Sequence, residues 1–151
     1  MSEFPKDGRF EYGKMDKQTG AQWVHVTPEM ARAHPQGKLN VALWAIAAVF
    51  LSFGLMRLWV SAGDMLNVIS GVLQIFTGLM LMIRAPWGIM IAGAQLILTI
   101  FGVVTSGFGG HWMDLVILLF SFGALFYLVE GDRPNLIYKH RYRSYGKGPK
   151  A

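Results

Sequence analysis

More than half of this 151-residue chain is hydrophobic (53%) and only 15% is charged, a balance that, with its positive mean hydropathy, points to a membrane protein rather than a soluble one. Cysteine is absent, which excludes disulfides, thiol redox chemistry, thiolate metal sites and covalent c-type haem. A net charge of +5 would suggest nucleic acid in a soluble protein, but the basic residues lie mainly in the two terminal segments beside apolar runs, where membrane orientation accounts for them. No nucleic-acid partner is expected.

Residues 1–38 are polar, with six Lys/Arg against five Asp/Glu. They contain no apolar run of the secretory-signal kind, so insertion is expected to rely on the first span. Arg9 to Tyr12 and Gln22 to Val26 are short β-prone pieces flanking a turn-rich stretch, and they predict a small hairpin that is marginal by itself. Thr27-Pro28-Glu29 combines an N-cap residue, proline at the first helical position and an early acid, and predicts a short helix to about His34.

Leu39 to Met56 is uncharged, and the first span is placed at 39–60 with Arg57 near its end, close enough to reach the headgroups. Ser61-Ala62-Gly63-Asp64 turns the chain, with Asp64 as N-cap of the second span. Met65 to Ile83 and residues 87–105 then form two uncharged arms of about bilayer length, folded back at Arg84-Ala85-Pro86-Trp87. This hairpin is the centre of the expected architecture.

Its polar and small residues form one seam on each arm. Asn67, Gly71, Gln74 and Gly78 recur at steps of three and four, as do Gly88, Ala92, Gln95, Thr99 and Gly102. Such seams face protein, because small residues let helices approach in lipid and an amide there seeks a neighbour. Counted from the turn, Gln74 and Gln95 lie at nearly equal depth, and a hydrogen bond between them across the hairpin is expected. The competing reading of the same seam is a polar lining for a solute path.

Ser106-Gly107-Phe108-Gly109-Gly110 is glycine-rich but lacks the Gly-Lys-Ser/Thr ending of a phosphate loop. Leu115 to Val129 is too short to cross, so the fourth span is placed at 112–129, which draws Asp114 into its first turn. Asp114 is the expected partner of Arg57 at the outer face, with Asp64 second. From 131 to 151 the chain is a basic tail, in which Asp132 is expected to cap a short amphipathic helix lying on the surface. Arg133, Lys139, Arg141 and Arg143, interleaved with Tyr142 and Tyr145, are the candidate contacts to anionic lipid or an acidic partner. A faint echo between the halves, Arg84-Ala85-Pro86 and Arg133-Pro134 among it, fits two helical hairpins of one orientation.

The expected fold is therefore all-α: a four-helix transmembrane bundle of two hairpins, with a short polar N-terminal segment and a basic C-terminal tail. The termini and the central turn hold 13 of the 14 Lys/Arg, which places both termini in the cytoplasm of a bacterial inner membrane, or on the matrix side of an organellar one.

None of the four histidines falls inside a span, and no metalloprotease, nucleophile-elbow or di-metal motif occurs. No catalytic residue, metal or cofactor is expected. The functional expectation is an accessory, structural or assembly subunit of a larger membrane complex, partnered by lipid and by other membrane subunits or copies of itself. The alternative is a small oligomeric channel or transporter, a holin-like pore included, lined by the Gln/Thr seam.

Overall fold

The computed structural model describes residues 10–15, 19–106 and 112–144. The expected turn at 107–110, His111, and the tail from Tyr145 onward, with Lys147 and Lys150, lie outside the described residues. The chain divides into two compact units, one of residues 40–129 and the other of residues 1–39 together with 130–151.

The first unit contains four helices long and apolar enough to cross a membrane: α2 (Val41–Val60), α3 (Met65–Met82), α4 (Trp87–Ser106) and α5 (Trp112–Glu130, whose last residue belongs to the other unit). Asn40 caps α2, its side-chain oxygen accepting from the Leu43 amide at 3.0 Å, and Asp64 caps α3 by accepting from Leu66 at 3.3 Å. The α3 exit is a Schellman turn, in which the Arg84 amide donates to Leu81 and that of Ala85 to Met80. Arg84 sits at its left-handed position with φ of 60°. Glycine is usual there, and Arg84 holds the position without it.

Helices α2 and α3 touch backbone to backbone. Ala47 and Gly54 on one, Gly71 and Gly78 on the other, recur every seven residues and meet in antiparallel register: a Cβ on Gly54 would lie 2.7 Å from the Gly71 oxygen, and one on Gly78 2.7 Å from the Ala47 oxygen. Lipid chains are as apolar as leucine, so close approach of this kind, and not water exclusion, holds helices together in a bilayer. Helix α4 packs on α3 closely at one end, where a Cβ on Gly88 would lie 3.3 Å from the Leu81 nitrogen, and loosely at the other, where one on Gly102 would lie 3.8 Å from the Leu66 side chain. Against α2 runs α5, joined by Asn40 to Tyr127 at 3.4 Å, by the edge-on rings of Phe50 and Phe53 around Phe120, and by Arg57 to Asp114. Outward-facing Ser52 and Thr105 return their hydroxyls to the carbonyls of Ala48 and Phe101, which satisfies them without water.

The second unit corrects the all-α expectation. It holds a three-stranded antiparallel sheet, β1 (Glu11–Met15), β2 (Gln22–His25) and β3 (Arg141–Ser144), in the order β1-β2-β3. The hairpin that was marginal alone is completed by a strand from the tail, with Val24 opposite Tyr12 on one side and Tyr142 on the other. Hence the polar N-terminal segment and the basic tail, expected as separate pieces, are one unit.

Helix α1 (Pro28–Ala33) is capped by Thr27, whose hydroxyl accepts from Met30 at 3.2 Å. Helix α6 (Asp132–Lys139) does not ride on the surface as expected; Pro134 to Tyr138 are all buried. Gly131, not Asp132, is its N-cap, without a side-chain bond. Between α1 and α2 a single 3-10 turn, Pro35–Gly37, brings Gly37 so near α1 that a Cβ there would lie 1.7 Å from the Ala31 oxygen.

Candidate functional site

The sequence-predicted residues fall into three places, each within one unit. The first is the end of the spans where α2 turns into α3. Arg57, on the last turns of α2, donates to Asp114 Oδ1 at 2.5 Å and to Asn67 Oδ1 at 3.0 Å, and Asn67 passes the contact on to Asp64 at 2.7 Å. Arg57 as a whole is only 9% exposed. One buried cation thus joins α2, α3 and α5, balanced by one carboxylate directly and a second through an amide. The counter-charge of this cation is built into the protein.

The second place is the polar seam. Gln74 and Gln95 are fully enclosed, and so are Ser70, Thr77, Thr99 and Ser121. Gln95 uses its amide nitrogen twice, donating to Ser70 at 2.9 Å and to Thr99 at 3.0 Å, while Thr99 returns its hydroxyl to the Gln95 carbonyl. The expected bond between Gln74 and Gln95 is not made: both amide atoms of Gln74 lack a partner, as does Gln95 Oε1. Ser70 wins because it sits one turn along α3, where the Gln95 side chain reaches it and Thr99 together. Gly71 and Gly78 serve the contact with α2, whereas Gly102 makes only ordinary contact with Leu66.

The third place is the tail. Arg141 and Arg143 lie on β3 with their guanidiniums over the Trp23 ring, at 4.2 and 4.8 Å from its centre. Arg141 also donates to Asn135, and Arg143 pairs with Glu130. On the other face of the strand Tyr142 packs with Val26, Ala31 and Leu136. Burial pushes the Tyr142 hydroxyl above its usual range, with Tyr12 adding to the rise. Burial likewise lowers Lys139, helped by Arg141 and opposed by Glu130, and it lowers His140, helped by Arg32. Arg133 is half-buried on α6. A cavity of about 560 Å³ opens beside these residues, with Val26, Met30 and Leu136 as its apolar floor and His34, Asp132 and Arg143 at its rim.

Sequence reasoning missed Ser70, Thr77, Ser121 and Trp23. Ser70 and Thr77 continue the α3 seam at steps of three from Asn67 and Gln74, so the signal was available. Ser121 stands alone in an apolar helix and gives none. Trp23 becomes a site only through the strand that pairs with it. Among the described residues no group of three or more His, Asp or Glu could hold a metal ion. Compared with known protein families, with curated proteins and with solved structures, the chain has no match.

Proposed function

We propose that this chain is a non-catalytic membrane protein that acts as an accessory or assembly subunit of a larger complex in a bacterial cytoplasmic membrane, with both termini cytoplasmic. The observation that carries the reading is the terminal unit. Strands from both ends of the chain complete one sheet, so residues that lead into the first span and out of the last share a single folded body. One body cannot stand on two sides of a bilayer. This supports an even number of crossings and the placement that the basic residues suggest.

The surfaces divide accordingly. Most polar side chains of the spans are turned inward, and the outward Ser52 and Thr105 are satisfied on their own helices, leaving apolar residues such as Ile97, Leu119 and Phe126 outward for lipid or for other spans. A folded body held at the membrane by two spans is a means of docking other proteins. Enclosure of the Gln/Thr seam within one chain weighs against a pore lined by it between copies.

Native mass spectrometry of gently solubilised membranes tests the proposal. Foreign subunits at fixed stoichiometry are the expected result, and a pure homo-oligomer or a bare monomer would overturn it.

A further inference from the structure

The cavity of the terminal unit, about 560 Å³, is of the size that holds small molecules. Residues from both ends of the chain line it. Val26 and Leu136 belong to the buried core of the unit, Met30 and Tyr142 pack against that core, and the cavity opens over these four side chains and Phe10. Met30 is unbranched and soft, so the floor can adapt to the shape placed on it.

The polar groups around this floor are unequal in charge. Arg143 carries a cation, but its guanidinium is already paired with Glu130 and lies over the Trp23 ring. His34 and Gln36 come from the turn that Gly37 presses onto α1. There the Gln36 amide donates to His34 Nδ1 at 3.2 Å, and an accepting Nδ1 belongs to a neutral ring. Burial, with Tyr12 assisting, raises the pKa of Tyr142, so its hydroxyl adds no negative charge. Asp132 differs from all of these. It is exposed, and it makes no ion pair among the described residues. An apolar cavity with two aromatic rings is therefore left, among the described residues, with one unanswered carboxylate.

We infer that this cavity binds a small amphipathic amine, with an alkyl or aromatic body on the floor of Val26, Met30 and Leu136 and one ammonium group at Asp132. Seating the body removes apolar surface from water on ligand and protein alike. The ammonium meets an opposite charge beside Phe10 and Tyr142, whose ring faces attract cations. An anionic amphiphile would bring like charge to Asp132, and an uncharged one would leave the carboxylate unanswered. This site adds a small-molecule ligand to a body proposed above to dock proteins, and it holds whatever the number of membrane crossings.

Methyl NMR of the whole chain, 13C-labelled at the methionine methyls in phosphatidylcholine nanodiscs, tests the inference. These lipids bring no primary amine of their own. The probes are 6-phenylhexylamine, 6-phenylhexanol and 6-phenylhexanoate, three head groups on one body, with free probe measured by dialysis so that uptake by lipid does not count. Met30 is assigned with Met30→Leu. The amine should shift the Met30 methyl saturably and bind at least threefold tighter than the alcohol, a preference set by the modest strength of an exposed ion pair and an exposed cation–π contact. The hexanoate should bind more weakly than the alcohol. Asp132→Asn should bring the amine down to the level of the alcohol while the alcohol binds as before, and no cap bond is lost in this variant because Gly131 is the N-cap of α6. Equal affinity of amine and alcohol, tighter binding of the hexanoate, or a Met30 methyl that no probe shifts would overturn the inference. Should Asp132→Asn fail to fold, the order of the three probes on the unsubstituted chain still decides.

Discussion

Replacing Gly54 by alanine places a methyl group 2.7 Å from the Gly71 carbonyl oxygen, 2.7 Å from Ile75 Cγ1 and 2.8 Å from the Ile75 nitrogen. A relaxed carbon-to-oxygen contact is about 3.3 to 3.6 Å, so α2 and α3 must part locally by about 0.5 to 1 Å. A gap of that size forfeits roughly a quarter to a half of each dispersion contact beside it. Backbone cannot rotate away as a flexible side chain does. The cost therefore belongs in the overpacking range of about 1 to 3 kcal/mol.

Gly123 on α5 is the control, because a Cβ there meets nothing within 4 Å. Spans stay helical when they separate in lipid, so helix propensity cancels and only packing remains. Gly123→Ala should then change stability by no more than about 0.5 kcal/mol. Steric-trap unfolding in bicelles measures both. If the two variants agree within about 0.5 kcal/mol, close backbone contact is not what holds α2 to α3.

Four further outcomes follow from the same geometry. In a double-mutant cycle, Arg57→Leu and Asp114→Asn should couple by about 1 to 3 kcal/mol, and strictly additive losses would show that the pair contributes nothing. Gly37→Ala puts a methyl 1.7 Å from the Ala31 oxygen, so hydrogen exchange should accelerate throughout the terminal unit while the spans keep their protection. His140 has a lowered pKa through burial and then Arg32; the unfolded chain takes up that proton first, so the terminal unit should lose stability as pH falls through about 6.5. His140→Asn, which tolerates the φ of 49°, should flatten that profile. Reporter fusions at Ala151 and in the 61–64 turn should give opposite signals, and like signals would refute the even count of crossings.

What was legible at the sequence level was whatever lipid imposes. A span must be long, uncharged and internally hydrogen-bonded, and these demands place α2 to α5 within one or two residues of where the apolar runs predict them. The Arg57 to Asp114 contact was legible for a related reason, since few carboxylates stand at that end of the spans to meet a buried cation. The partner of Gln95 was not. Equal depth brings Gln74 to the right level, but which of two hydroxyls and an amide captures a long side chain depends on rotations about the helix axes, to which residue spacing is blind.

The terminal unit failed to appear for a different physical reason. A strand is recognised by alternation, and Arg141-Tyr142-Arg143-Ser144 does alternate, with Tyr142 turned to the core and both arginines to Trp23. Read as a charge run it looks solvated. Its pairing with Gln22–His25 joins residues more than a hundred positions apart, a separation over which local propensity carries no information. The same pairing explains why two weak pieces, a marginal hairpin and a polar tail, form one body: each supplies the strand contacts that the other lacks.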